Sequence, residues 1–157
     1  MQLYLVQHGE AVLETVDPDR PLTETGRADI RHLADFLAHA GVRVGRVVHS
    51  GKRRASDSAA MLIGAIGAGA VVEVMERGLL PKDSPEYLVD AAVSWQEDTL
   101  LVGHQPFLSR FLSRLVLGKE HPTLVDFTPG TLVGLTRRPA TGAWFVACML
   151  SPELLRR

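Results

Sequence analysis

The chain holds one cysteine, Cys148. A single thiol rules out an internal disulfide, so packing must hold the fold, and a reducing cytosol is the expected compartment. An excess of either charge is also missing. Lys and Arg number 17 against 18 Asp and Glu, for a net charge of −1 and a pI near 6.6. That balance argues against a general nucleic-acid binder, which carries a strong basic excess. No uncharged stretch is long enough to span a bilayer. The longest, Ser58 to Val72, contains Gly64, Gly67 and Gly69 and runs into Glu73, so no membrane partner is expected. The N-terminus shows no basic segment and only a short apolar run, unlike a signal peptide. No repeat, low-complexity tract or long linker interrupts the 157 residues, which predicts a single domain over 1–157.

Apolar residues make up 46% of the chain, enough for a core; a chain of this size buries roughly 70% of its extended surface. The apolar residues fall into an alternating order. Leu3 to Val6 is a continuous run and reads as a buried strand. Asp17-Pro18-Asp19 marks a turn, and Pro21-Leu22-Thr23 leads into a helix with Leu33, Phe36, Leu37 and Ala40 at helical spacing, closed by Gly41. Val44 to His49 reads as a strand. A helix then begins near Gly51, with Ala55, Ala59, Leu62, Ile63 and Ile66 as its stripe. Val71 to Met75 is a third strand. Ser84-Pro85 starts a helix with Ser as N-cap, burying Leu88, Ala91, Ala92 and Trp95. Thr99 to Val102 is a fourth strand. Pro106 opens a helix with Leu108, Phe111, Leu112 and Leu115 inward. Thr131 to Thr136 and Trp144 to Met149, joined by Pro139-Ala140-Thr141-Gly142, form a hairpin. The expectation is a three-layer α/β/α fold: a mostly parallel central sheet, helices on both faces, and an antiparallel C-terminal hairpin.

Ligands in such sheets sit at the carboxyl ends of the strands. Three predicted strand ends carry polar residues of one kind: Gln7-His8-Gly9, then His49-Ser50 running into Lys52-Arg53-Arg54, then Gly103-His104-Gln105. As neighbours they would bring two imidazoles and a guanidinium over a helix N-terminus, which is an anion site. A nucleophilic nitrogen in that site makes phosphoryl transfer the natural chemistry.

The segments Leu5-Val6-Gln7-His8-Gly9-Glu10, Arg20-Pro21-Leu22-Thr23 with Gly26, Ser50 through Arg54-Ala55, and Gly103-His104-Gln105-Pro106 resemble the histidine phosphatase superfamily. Within it they resemble the small SixA-type phosphohistidine phosphatases in order and spacing over nearly the whole chain. The resemblance implies that His8 is the nucleophile, attacking phosphorus in line to give a phosphoenzyme that water hydrolyses. Arg54 and His104 would hold the phosphoryl oxygens. Gln7, Gly9, Arg20 and Gln105 would complete the phosphate site. His8 must be neutral to attack, with a backbone carbonyl the usual holder of its other nitrogen, whereas His104 would be cationic against phosphate. The positive charges come from side chains, so no metal and no cofactor is expected. The implied substrate is a phosphohistidine on a protein, with a small phosphate ester or anhydride as the alternative.

The sequence departs from the family where Gln7 stands in place of the family's Arg. Glutamine is shorter, neutral and offers one amide. Losing a charged donor worth about 1.5–3 kcal/mol costs roughly one to two powers of ten in rate or affinity. This departure keeps open a different reading, a phosphate-binding module weakened in turnover. Arg20 either restores the charge or is a solvated loop residue, while Lys52 and Arg53 read as surface charges. The proton donor is a second open point. By position Asp83 is the candidate, with Glu76 behind it, against the plainer reading that Asp83 helps start the next helix. His32 and His39 lie seven apart on one helix, the wrong spacing for a metal pair. His49 lines the pocket or is structural, His121 carries no signal, and Ser50 and Ser109 have no base at motif spacing. Cys148, among apolar neighbours in the last strand, reads as a buried small hydrophobe.

Overall fold

The computed structural model describes residues 1–156. Six strands and five helices follow in the order β1 (Gln2–Gln7), α1 (Glu24–His39), β2 (Arg46–His49), α2 (Arg53–Ile66), β3 (Val71–Val74), α3 (Glu86–Ser94), β4 (Thr99–Gly103), α4 (Phe107–Leu117), β5 (Leu132–Arg137), β6 (Trp144–Leu150) and α5 (Pro152–Leu155). The sheet runs β3-β2-β4-β1-β5-β6. β3, β2, β4 and β1 pair in parallel, while β5 joins β1 and β6 joins β5 antiparallel. The α/β architecture with an antiparallel C-terminal hairpin therefore stands as the sequence predicts.

Strand side chains alternate between faces, and the core divides accordingly. Leu3, Leu5, Leu101, Val133 and Leu135 face one layer with Leu88, Phe107, Leu108, Phe111 and Leu112 of α3 and α4. Val6, Leu100, Val102, Val47 and Leu132 face the other with Ile30, Leu33, Leu37, Ala59 and Leu62 of α1 and α2. β1 and β4 are covered on both sides. Their register sets Gln7 opposite Gly103, and the His8 N–H donates to the Gly103 carbonyl at 3.1 Å. The chain thus leaves both strands at the same level, which puts His8 and His104 side by side.

Some local expectations need correction. Phe36 is 45% exposed and Ala40 is exposed as well; the buried face of α1 is Ile30, Leu33, Ala34 and Leu37 with Gly26 and Asp29. Helical spacing alone cannot tell which side of a wide stripe meets the sheet. The N-cap of α3 is Pro85 rather than Ser84. Cys148 is exposed rather than buried, because β6 is an edge strand with little cover: Phe145, Val146 and Met149 are exposed too. The four-residue α5 is too short to show a period. It is tied to α1 by Arg156, whose guanidinium donates to both Asp29 carboxylate oxygens at 2.9 and 2.7 Å.

A close crossing fixes the entry to α1. Thr23 caps the helix, its hydroxyl accepting from the Gly26 N–H at 3.0 Å and donating to Glu10 Oε1 at 2.7 Å. A side chain at Gly26 would place its Cβ 2.1 Å from the Glu10 carbonyl oxygen, and one at Gly9 would meet the Gly26 carbonyl at 2.8 Å. Only glycine lets the segment after β1 pass this near the first turn of α1.

Candidate active site

A polar hollow of about 300 Å³ opens where β1 and β4 end. Gln7, His8, Glu10, Arg20, Arg54, His104 and Gln105 line it, with Ala11, Pro81 and Pro129 at its rim. The imidazoles of His8 and His104 lie with ring centroids 5.1 Å apart. Arg54, on the first turn of α2, points its Nε at His8 Nε2 from 3.2 Å.

His8 is held in one tautomer. Its Nδ1 lies 2.8 Å from the Gly9 carbonyl oxygen, which can only accept, so Nδ1 carries the hydrogen and Nε2 keeps its lone pair toward the hollow. Burial pushes the pKa of His8 down to about 4; the Gly9 carbonyl works against that, and the positive charges of Arg54 and Arg20 add to it. The imidazole is therefore neutral near pH 7. Ser58, fully buried, links the two arms of the site. Its hydroxyl donates to the Arg54 carbonyl at 2.7 Å and accepts from the Gly9 N–H at 3.0 Å.

His104 is set from the other side. Its Nε2 lies 2.6 Å from Ser50 Oγ, which also accepts from the Lys52 N–H at 3.3 Å. Because a hydroxyl oxygen can accept two bonds, Ser50 either donates to Nε2 or accepts from it, so this bond fixes the orientation of the ring and leaves open which tautomer, with or without hydrogen on Nδ1, it adopts. That nitrogen is buried and has no partner. Burial, then the charges of His8, Arg54, Lys52 and Arg20, lower the His104 pKa to about 3. The cationic form expected from the sequence is thus not the resting one; in the free site His104 is neutral, and only an anion in the hollow could favour its protonation.

The remaining expected site residues divide. Arg20 stands in the hollow, its backbone at φ +49, a left-handed conformation that non-glycine residues seldom adopt outside constrained loops. Its Nε donates to the Val12 carbonyl at 3.0 Å. Gln7 lines the hollow while 8% exposed, and its Oε1 is sealed without a partner. Gly9 does not offer its N–H to a ligand, since Ser58 takes it. Gln105 spends its amide on α4: Nε2 donates to Ser109 Oγ at 2.7 Å and Oε1 accepts from the Ser109 N–H at 3.2 Å. Asp83 is not brought to the hollow. Its Oδ2 accepts from the Gly78 and Leu80 N–H groups at 2.6 and 2.9 Å and closes the loop after β3. The carboxylate that does line the hollow is Glu10, a residue the sequence reading quoted in the motif but did not assign.

Outside the hollow, His49 accepts from the Gly51 N–H through Nδ1 and shapes the turn before α2. His32 and His39 line a separate groove with Asp35, Phe36, Leu154 and Leu155. Among the described residues, no group of three or more His, Cys, Asp or Glu is gathered as a metal site, and no helix is long and apolar enough to cross a membrane.

Residues 3–77 match the model of the histidine phosphatase superfamily (branch 1). No curated protein matches the chain. Among solved structures, the protein histidine phosphatase SixA in complex with tungstate superposes with a TM-score of 0.86 at 23% identity, covering 99% of this chain and 100% of that one. SixA from Agrobacterium tumefaciens gives 0.77 at 25% identity, covering 96% and 97%. The fold is wider than one substrate: a phosphoserine phosphatase from Entamoeba histolytica gives 0.71 at 16% identity, covering 96% of each chain. The chain is thus similar to the histidine phosphatase superfamily in sequence over residues 3–77 and shares the SixA fold over nearly its whole length.

Proposed function

We propose that the protein is a phosphohistidine phosphatase working through a phosphorylated His8, without a metal. The observation that carries this is the tautomer of His8: a neutral imidazole, Nδ1–H fixed on the Gly9 carbonyl, with Nε2 facing a hollow of guanidinium and imidazole donors.

In the free site Arg54 occupies the His8 lone pair. An entering phosphoryl group draws the guanidinium onto its oxygens and uncovers Nε2. Nε2 attacks phosphorus in line, forming an N–P bond as the bond to the leaving group breaks. Arg54, Arg20 and His104 face the spreading negative charge, with Gln7 adding a neutral amide donor. A leaving imidazole departs with the electron pair of the old P–N bond, and a phosphoramidate that takes its proton on nitrogen beforehand needs no acid from the loop after β3. Water then attacks the phosphorus of phospho-His8, releasing phosphate and restoring Nε2.

A hollow to which the loop after β3 brings no carboxylic acid suits phosphoramidates; alkyl phosphate esters, whose oxygen leaving groups ask more of an acid, would need Glu10, the carboxylate that lines it. The hollow opens at the carboxyl ends of the strands, where a phosphorylated side chain of another protein can enter.

The test is phosphate release from a chemically phosphorylated histidine peptide, by the protein and by His8→Ala. Release that depends on His8, with acid-labile phosphate on the protein after quenching, supports the reading. Equal release from both removes the nucleophile, and tight phosphate binding without turnover favours the weakened binding module suggested by Gln7.

A further inference from the structure

The hollow does not end at Arg54. Arg20 and Arg54 also line a second, larger trough of about 620 Å³, which continues over the turn Gly51-Lys52-Arg53 and the loop carrying Glu14, Pro18 and Asp19. Four cations, Arg20, Lys52, Arg53 and Arg54, meet two carboxylates there. The first turn of α2 holds no acidic residue. Arg53 reaches Asp57 only at 3.7 Å and stays half exposed, so most of its charge is free for a visitor.

The walls say what kind of visitor. Glu14, Pro18, Asp19, Gly51, Lys52 and Arg53 are all exposed, whereas a small-molecule site encloses most of its ligand. Large apolar side chains also stand open beside the cations. Leu13 and Val16 on the loop are 66% and 74% exposed; Val74, at 53%, is next to Gly51, where a Cβ would meet its Cγ1 at 3.0 Å. Exposed cations at the mouth of a recessed hollow, with open apolar residues on the same loop and on the strand beside Gly51, suit a protein surface.

We infer that this trough docks an acidic segment of the phosphoprotein substrate, binding Asp or Glu side chains that flank the phosphorylated residue while the phosphoryl group occupies the hollow. The inference rests on the proposed phosphatase reading and adds its substrate class: acidic around the target. Lys52 and Arg53 are the docking cations. Arg53 does not reach the reacting atoms, so it acts on capture and leaves the chemical step alone, whereas the Lys52 charge also bears on His104.

The experiment compares free phosphohistidine with two phosphohistidine peptides alike except for Glu or Gln at the flanking positions. Each is assayed with the wild type, Lys52→Gln and Arg53→Gln. The wild type should favour the Glu peptide in kcat/KM, losing the preference at high salt. Each variant should lose about threefold to tenfold on the Glu peptide, the effect of one partly screened ion pair. Turnover of free phosphohistidine by Arg53→Gln should not change. Equal rates on both peptides, or equal losses on all three substrates, would overturn the docking while leaving the phosphatase intact. If no phosphohistidine is hydrolysed, the phosphatase reading falls. Fluorescence anisotropy of the unphosphorylated Glu peptide then decides the docking separately: binding weakened by Arg53→Gln keeps it, and no binding removes it.

Discussion

Replacing Gln7 by Arg probes the place where the hollow departs from the family motif it resembles. The backbone there is fixed on both sides, the Gln7 N–H on the Thr131 carbonyl at 3.1 Å and its carbonyl on the Gly130 N–H at 3.0 Å. The side chain breaks no network on leaving, because its Oε1 has no partner. An arginine would exchange one neutral donor, worth about 0.5–1.5 kcal/mol net, for charged donors worth about 1.5–3 kcal/mol. The gain of about 1–2 kcal/mol corresponds to about 5- to 30-fold in kcat/KM. The empty site should pay in stability, since Arg20 and Arg54 already share the hollow. Another cation beside both is repelled by each, which lowers Tm by about 2–4 °C for every kcal/mol of repulsion in a chain of this size. The assay is phosphate release from phosphohistidine, beside thermal unfolding with and without inorganic phosphate. Faster turnover, a lower Tm and recovery of Tm by phosphate are expected together. Slower turnover by a protein that still unfolds cooperatively would refute the reasoning and mean that Gln7 is matched to a different substrate.

Four further outcomes follow from the geometry. Because the neutral His8 is the attacking form and its pKa is lowered to about 4, kcat/KM, corrected for acid hydrolysis of the substrate, should hold its plateau below pH 6.5 and fall only as pH approaches 4. The same depression destabilises the fold in acid: between about pH 6.5 and 4 the unfolded chain binds a proton that folded His8 refuses, so stability declines as pH falls through that window and levels off below it, by about 1.4 kcal/mol per pH unit for that group. Chemical denaturation at pH 7 and pH 5 checks it, with equal stabilities counting against it. Ser50→Ala should free the His104 ring from its 2.6 Å bond to Ser50 Oγ, visible in its ring ¹⁵N shifts, and reduce kcat about tenfold, the size of one lost hydrogen bond; unchanged shifts would mean that Ser50 does not set the ring. Gly26→Ala, with its Cβ driven against the Glu10 carbonyl, should cost more than about 2 kcal/mol in urea unfolding, and a stability within error of the wild type would contradict the close crossing.

Much of this was legible in the sequence where it rested on local pattern. The runs at Leu3–Val6 and Thr99–Val102 are apolar on consecutive residues because β1 and β4 are covered on both faces. Their ends announce His8 and His104 because the apolar run stops there. What stayed hidden depends on contacts far apart in the chain. The bond of Ser58 to Gly9 spans 49 residues and that of Ser50 to His104 spans 54, and neither serine differs in pattern from an ordinary helix or turn residue. Asp83 looked like an acid by position, yet two amides of its own loop claim it. Cys148 read as buried because its neighbours are apolar, while the strand order puts it at an edge.

The reactive groups do not all rest on equally firm ground. His8 and His104 leave the two central strands, locked by register and covered by both layers of the core. Arg20 and the trough's acids ride on the loop between β1 and α1, and Lys52 and Arg53 on a turn next to edge strand β3. Under mild heat or denaturant the gripping charges should therefore loosen before the imidazoles part, so that a partly softened enzyme loses its hold first: KM climbs and kcat falls only in part, by the share Arg20 supplies, until the whole sheet gives way.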